Sequence, residues 1–400
     1  MLISLLLLFL SLVHGKLYIL STEENEASFS VKRLGKGFCF SGRHFYEDRG
    51  YDEILLGCRC NLGGGEAYTL GSYRDDYSYT LERYRDLCLA GITTFLRGRM
   101  DIAITLFGEG GVKELSAFGG DGDDMLWYMK KVREGYLLVG GVKEEDWDIL
   151  VIKLGEELKP EWWRRFGTGA QEYAYGVVEK NGRYYVVGRS NYRGNWDGFI
   201  LLLSEGGKLL ESYLFGSGKK DYLRYVGMYR GKVLAVGRSL KPSETAIVML
   251  YLPEEGRYFL YDSGEFDYGR VFEEREEGVL VMGIHYREGV SDGLLLFSEK
   301  ISASERLTAS AGREIESIRY LDGGLIAGYT YSFSLDNDVL VGRLPKLCPG
   351  FMRKLDFREV KAVLRRHPYP LEERDYTLRS LKLNISLREI YMKLYSPCQE

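Results

Sequence analysis

The sequence is short of several residue types, and each shortage excludes something. Among 400 residues there are 4 His and 8 Pro, with two Gln (Gln171, Gln399) and seven Asn. Beyond residue 15 the histidines are His44, His285 and His367. The first two fall in unrelated stretches of chain, which argues against a multi-histidine metal centre. No P-loop, G-x-S-x-G elbow or HExxH helix is present, so the chemistries those motifs serve have no footing here. A formal charge of −4 excludes a broadly basic nucleic-acid binder. The chain has one long apolar run, residues 2–13, too short to cross the ~30 Å hydrocarbon core as a helix. No integral membrane span is therefore expected in the mature chain.

That run reads instead as the apolar core of an export signal over residues 1–15, with small Gly15 at the cut. A secreted or cell-surface location follows. The six cysteines are Cys39, Cys58, Cys60, Cys88, Cys348 and Cys398. An even count in an exported chain permits three disulfides. Cys348 and Cys398 bracket the C-terminal segment and are the favoured pair; the pairing of the other four stays open. No C-x-x-C spacing occurs, so thiolate metal binding is not expected. Few amides beside 28% charged residues resemble the composition of heat-adapted proteins, which implies a thermostable fold.

Glycine is abundant, with 49 residues, and much of it is periodic. A run of β-branched or aromatic residues ends in Gly at Gly42, Gly91, Gly140, Gly188, Gly237, Gly283 and Gly328. After each Gly comes an Asp that opens an apolar strand: Asp52, Asp101, Asp148, Asp197, Asp292 and Asp338, with Ala246 in the fifth copy. The strand after it, the fourth of the unit, ends in a turn such as Phe118-Gly119, Phe166-Gly167 or Phe215-Gly216. The first strand of the next unit follows, so that the Gly-ending run is the second strand and the Asp-opened one the third. Tight turns such as Asn181-Gly182 join the first two strands, because both residues accept positive φ. Four-stranded meanders at this period predict an all-β, seven-bladed β-propeller over residues 16–345. The seventh copy lacks its last strand, and residues 17–22 match that strand elsewhere. The N-terminal strand should complete the last blade and remove an open edge.

The units resemble those of secreted propellers whose repeats read FGG…D…GYVVGG…D. Unit three matches best, with Phe118-Gly119-Gly120, Gly140-Gly141, Trp147-Asp148 and Trp162-Trp163. The layout is also similar to Kelch repeats and to quinoprotein-like propellers. The resemblance implies the fold and not the function, since propellers host many unrelated activities. The vicinal Cys-Cys of quinone-dependent dehydrogenases and the Asp-boxes of sialidases are both missing.

In such a meander, the loops between second and third strands share one face with the loops between blades. On that face lie Trp147, Tyr192, Arg193 and Trp196, residue types that dominate binding hot spots. These four are the expected ligand contacts. Two rings of carboxylate also follow from the repeat. One is the Asp that opens the third strand. The other is Glu26, Asp76, Asp124, Glu172, Asp221 and Asp267, at the start of the first strand. Capping of each ring member within its own turn is the favoured role. No organic cofactor is expected, and calcium is the one metal an acidic channel mouth would suit.

Residues 346–400 carry a charge of +5 against −9 for the propeller. They are expected to form a small basic appendage, with apolar residues at helical spacing over 356–366 and strand-like alternation over 381–387. The expected function is an exported, monomeric binding scaffold for an extracellular glycan, peptide or protein. The alternatives are a secreted glycan hydrolase or lyase at the channel mouth, with a quinoprotein-like oxidoreductase third.

Overall fold

A computed structural model of the chain describes residues 17–395, apart from short segments within that range, of which 344–351 is the longest. The expected signal over 1–15 and the expected Cys348–Cys398 pair lie outside the described residues. Among the described residues every regular element is a strand. Consecutive strands pair antiparallel into a β-propeller.

The strands fall into seven five-stranded sheets. The first strands of the successive repeats are Asn25–Leu34, Tyr77–Tyr84, Asp123–Lys131, Glu172–Lys180, Asp221–Tyr229, Phe266–Arg275 and Ser317–Asp322. Each packs beside the next, and the last packs beside the first. They therefore surround a central channel. The seam is sealed at Ser28, whose hydroxyl accepts from the Gly328 N–H at 2.9 Å and donates to its carbonyl at 3.0 Å. The N-terminal strand Leu17–Ser21 pairs with Asp338–Arg343, the third strand of the last repeat, as the sequence leads one to expect.

Third strands such as Trp147–Leu154 are buried along nearly their whole length. Each blade is sandwiched between two others, so both faces of a middle strand need apolar side chains. This is why these strands read as unbroken apolar runs rather than alternating ones.

The periodic glycine has a specific cause. Every first strand shifts register once, as between Leu126 and Tyr128 or between Ala174 and Gly176. Such a bulge leaves one residue unpaired and turns it out of the ladder. It also pushes the preceding carbonyl toward the second strand. A Cβ on Gly140 would collide with the Met125 carbonyl oxygen, and one on Gly188 with that of Tyr173. The same contact recurs at Gly42, Gly237 and Gly283. The repeat signature is thus the imprint of a bulge.

Each sheet holds the expected four-stranded meander and, beyond what was expected, a fifth strand at its outer edge. These outermost strands come from the C-terminal segment, which forms no separate appendage within the described residues. Met352–Leu355 pairs with the sixth repeat, Arg358–Glu359 with the fifth and Arg365–Pro368 with the fourth. Glu372–Arg374, Arg379–Leu381 and Ser386–Ile390 then pair with the third, second and first. Lys393–Tyr395 ends the circuit on Leu17–Ser21. The segment runs backwards around the ring as a belt. Where helical spacing stood over 356–366, short strands form, because an open sheet edge offers backbone partners that a short isolated helix lacks.

A disulfide joins Cys39 to Cys88, at equivalent places on the second strands of the first two repeats, with Cα atoms 6.6 Å apart. No helix of the described residues is long and apolar enough to cross a membrane.

Candidate binding face and central channel

The bulges decide what enters the channel. The residues turned inward are Phe29, Tyr79, Trp127, Tyr175, Arg224, Arg270 and Arg319, one from each repeat. They do not follow the symmetry of the fold. Four consecutive repeats supply aromatic rings and three supply arginine. The rings form an arc: Phe29 stacks on Tyr79 at 5.0 Å, Tyr79 on Trp127 at 5.0 Å, and Trp127 meets Tyr175 edge-on at 5.5 Å. The arginines close the circle. Arg224 lies 4.4 Å from the Tyr175 ring, and Arg319 lies 5.5 Å from that of Phe29. Arg270 sits between them, 5.1 Å from Tyr268. Cation–π contact supports such guanidiniums by ~1–2 kcal/mol where water is largely excluded.

Among the described residues none of these three arginines makes an ion pair. The buried Nε atoms of Arg270 and Arg319, and the indole N–H of Trp127, have no hydrogen-bond partner. Burial, and then the charge of Arg319, push the Arg270 guanidinium well below its ordinary range. Burial likewise pushes the phenols of Tyr79 and Tyr175 up. They stay neutral and serve as apolar walls with a polar rim.

Between the channel and the loop face runs a second assembly. Trp147 meets Tyr173 at 5.5 Å, Tyr173 meets Trp196 at 5.8 Å, and Trp196 meets Tyr222 at 6.4 Å. Arg189 is threaded among them, 4.3 Å from Trp196, 4.8 Å from Tyr222 and 5.0 Å from Tyr173. Arg238 continues the ladder over Tyr222, Tyr268 and Phe266. Tyr173 stacks parallel to Tyr175, so the ladder is continuous with the channel wall.

The four residues singled out in the sequence divide. Trp147 and Trp196 come together, one on each side of Tyr173. Tyr192 and Arg193 occupy the exposed tip of the neighbouring loop, and Arg193 reaches Asp197 at 3.7 Å. The bulged residues and Arg189, Arg238, Tyr173 and Tyr222 were not singled out. A signal existed. Each bulged residue lies three places after a carboxylate of the inner ring, as Trp127 follows Asp124. In the seventh repeat the first hairpin is shorter. Counting back from Gly328 therefore passes over Glu316, three places before Arg319.

The inner carboxylates cap their own loops. Asp76 accepts from the N–H of Ser72 at 2.6 Å and of Phe95 at 2.9 Å. Asp124 accepts from Gly120 N–H, Asp221 from Ser217 N–H and Asp267 from Ser263 N–H. Asp267 also holds His285 at 2.8 Å, and Glu26 lies 3.1 Å from His44. The third-strand ring is equally engaged, with Asp148 bound by Arg165 at 2.7 Å and Asp52 by Arg43 at 3.1 Å. Among the described residues no group of three or more His, Cys, Asp or Glu is placed to hold a metal ion.

The chain is 33% identical over 357 residues to an uncharacterized protein of Aquifex aeolicus strain VF5, covering 89% of this chain and 98% of that relative. The two are members of one family of β-propeller proteins. No protein-family model matches the sequence.

Proposed function

We propose that this protein is an exported, seven-bladed binding scaffold that takes an extracellular glycan or peptide on its loop face. The observation that carries the reading is the aromatic–arginine ladder from Trp147 to Tyr268, built by four adjacent repeats and interrupting the repeat symmetry. Flat rings spaced by guanidiniums stack on sugar or peptide planes and offer forked donors to their oxygens. Such groups lose little entropy on binding, because packing already holds them. Engagement of the inner carboxylates by their own loops, and of Asp52 and Asp148 by Arg43 and Arg165, favours binding over a hydrolase or lyase, which would need a free acid–base pair. The kinship with Kelch-like and quinoprotein-like propellers belongs to this reading only as a likeness of repeats.

The test is a glycan and peptide array probed with signal-free protein, with and without Ca²⁺. Retention that is lost in Trp196→Ala with Tyr173→Ala supports the reading. Retention unchanged in that variant, or no retention at all, overturns it.

A further inference from the structure

The channel holds three guanidiniums from consecutive repeats, and among the described residues none of them makes an ion pair. Bulges in the innermost strands aim all three at one another across a narrow space. Like charges this close repel, and the repulsion grows as water is excluded. A fold that needed only to fill its axis would place apolar residues there, as it does on the opposite side with Phe29, Tyr79, Trp127 and Tyr175. Stacking on Tyr175, Tyr268 and Phe29 offsets part of the cost, yet it leaves the buried Nε–H donors of Arg270 and Arg319 without a partner, while one Nη2–H of Arg319 is given to the Tyr329 hydroxyl at 3.4 Å. Those donors are what binds an oxyanion in forked geometry. Buried donors without partners are rare in native proteins, and an absent ligand is one of the few physical reasons for them.

Resting on the scaffold reading above, we propose that the channel is an anion site for an acidic, ring-bearing small molecule or terminal residue, its carboxylate, sulfate or phosphate gripped by Arg224, Arg270 and Arg319 and its ring laid against the Tyr79–Trp127 arc. The ligand class is thereby narrowed from glycan or peptide in general to one with an acidic end. The buried indole N–H of Trp127, which has no hydrogen-bond partner, supplies a further donor. The ladder of Arg189 and Arg238 extends the same preference outward, so that a longer acidic chain would be drawn from the loop face toward the axis.

The experiment uses the full mature chain and four probes: inorganic sulfate, inorganic phosphate, glucuronate and benzoate, each against sodium chloride at equal ionic strength. Thermal melting and titration calorimetry read binding. At least one of the ring-bearing acids should raise the melting temperature at millimolar concentration where chloride does not. Arg270→Gln should weaken that binding at least tenfold while leaving the ligand-free melting temperature unchanged or higher, because it removes an uncompensated charge. Arg224→Gln is the second variant should the first fail to fold. If Arg270→Gln melts lower and binds the acids unchanged, the arginine is structural and the proposal is overturned. If sulfate and phosphate bind but neither ring-bearing acid does, the aromatic half of the site is overturned. Failure of the loop-face reading is separate: it is read from Trp196→Ala with Tyr173→Ala on the array, whatever Arg270→Gln shows.

Discussion

The carbonyl oxygen of Tyr173 lies in the space that a Cβ on Gly188 would occupy. That contact is the price of the bulge that turns Tyr175 into the channel. Gly188→Ala should therefore cost about 2–3 kcal/mol, as overpacking against fixed backbone does. It should also weaken ligand retention more than a distant mutation of equal cost, since it displaces Tyr173 and Tyr175 together. Urea unfolding followed by tryptophan fluorescence checks the first. An unchanged midpoint would mean that the strand yields without strain.

Stability should depend on pH through Asp221. Burial raises this carboxyl to about 6, against the pull of hydrogen bonds from Ser239 and Ser217. Unfolded, it titrates near the ordinary value of about 3.9. The folded state therefore holds the proton more tightly. The contribution is fully present below about pH 4 and is lost as pH rises through 6. Relative to Asp221→Asn, the native protein should lose roughly 2 kcal/mol of stability between pH 4 and 7. Denaturant midpoints of both proteins across that range would show it; parallel curves would refute it.

The Cys39–Cys88 disulfide ties two neighbouring repeats across a separation of 49 residues. Loop-closure entropy puts its contribution at about 4 kcal/mol. Cys39→Ala with Cys88→Ala should lower the unfolding free energy by an amount of that order. Because these thiols sit at equivalent points of adjacent blades, the loss should appear first as faster hydrogen exchange in residues 37–108. Exchange accelerated uniformly around the ring would instead mean that the blades unfold as one unit.

The belt makes a prediction about association. Each of its strands covers the edge of a sheet, and an uncovered edge is a template for pairing with another chain. A chain ending at residue 345 should fold its inner strands and then self-associate. Sedimentation of the truncated and full chains at equal concentration tests this. A truncated chain that stays the same size as the intact one would show the edges to be protected by their own twist.

Much of this was legible in the sequence, for physical reasons that differ by residue. Gly140, Asp148 and Gly167 recur because each is locked to a neighbour within its own unit: Gly167 leaves room for the Asp148 carboxylate, as Gly140 does for the Met125 carbonyl. Local constraints of that kind leave a periodic trace. The capping role of the inner carboxylates was legible for the same reason. The belt was not, because its partners are whole sheet edges that accept any side chain. Its strands run from two residues at Arg358–Glu359 to five at Ser386–Ile390, too few for alternation to show. Arg224, Arg270 and Arg319 escaped notice because they stand far apart in the chain and look like ordinary strand arginines. Only the ring brings them together.

The belt also bears on how the molecule is made. Its last strand, Lys393–Tyr395, pairs with Leu17–Ser21, the first strand described. The covering of every sheet waits on residues beyond 350, so a chain still emerging from a ribosome would carry finished meanders with bare edges. Such species are prone to pair wrongly. Synthesis therefore has a vulnerable interval that lasts until the belt residues 352–395 have been made, and a holding chaperone would be of most use during that interval.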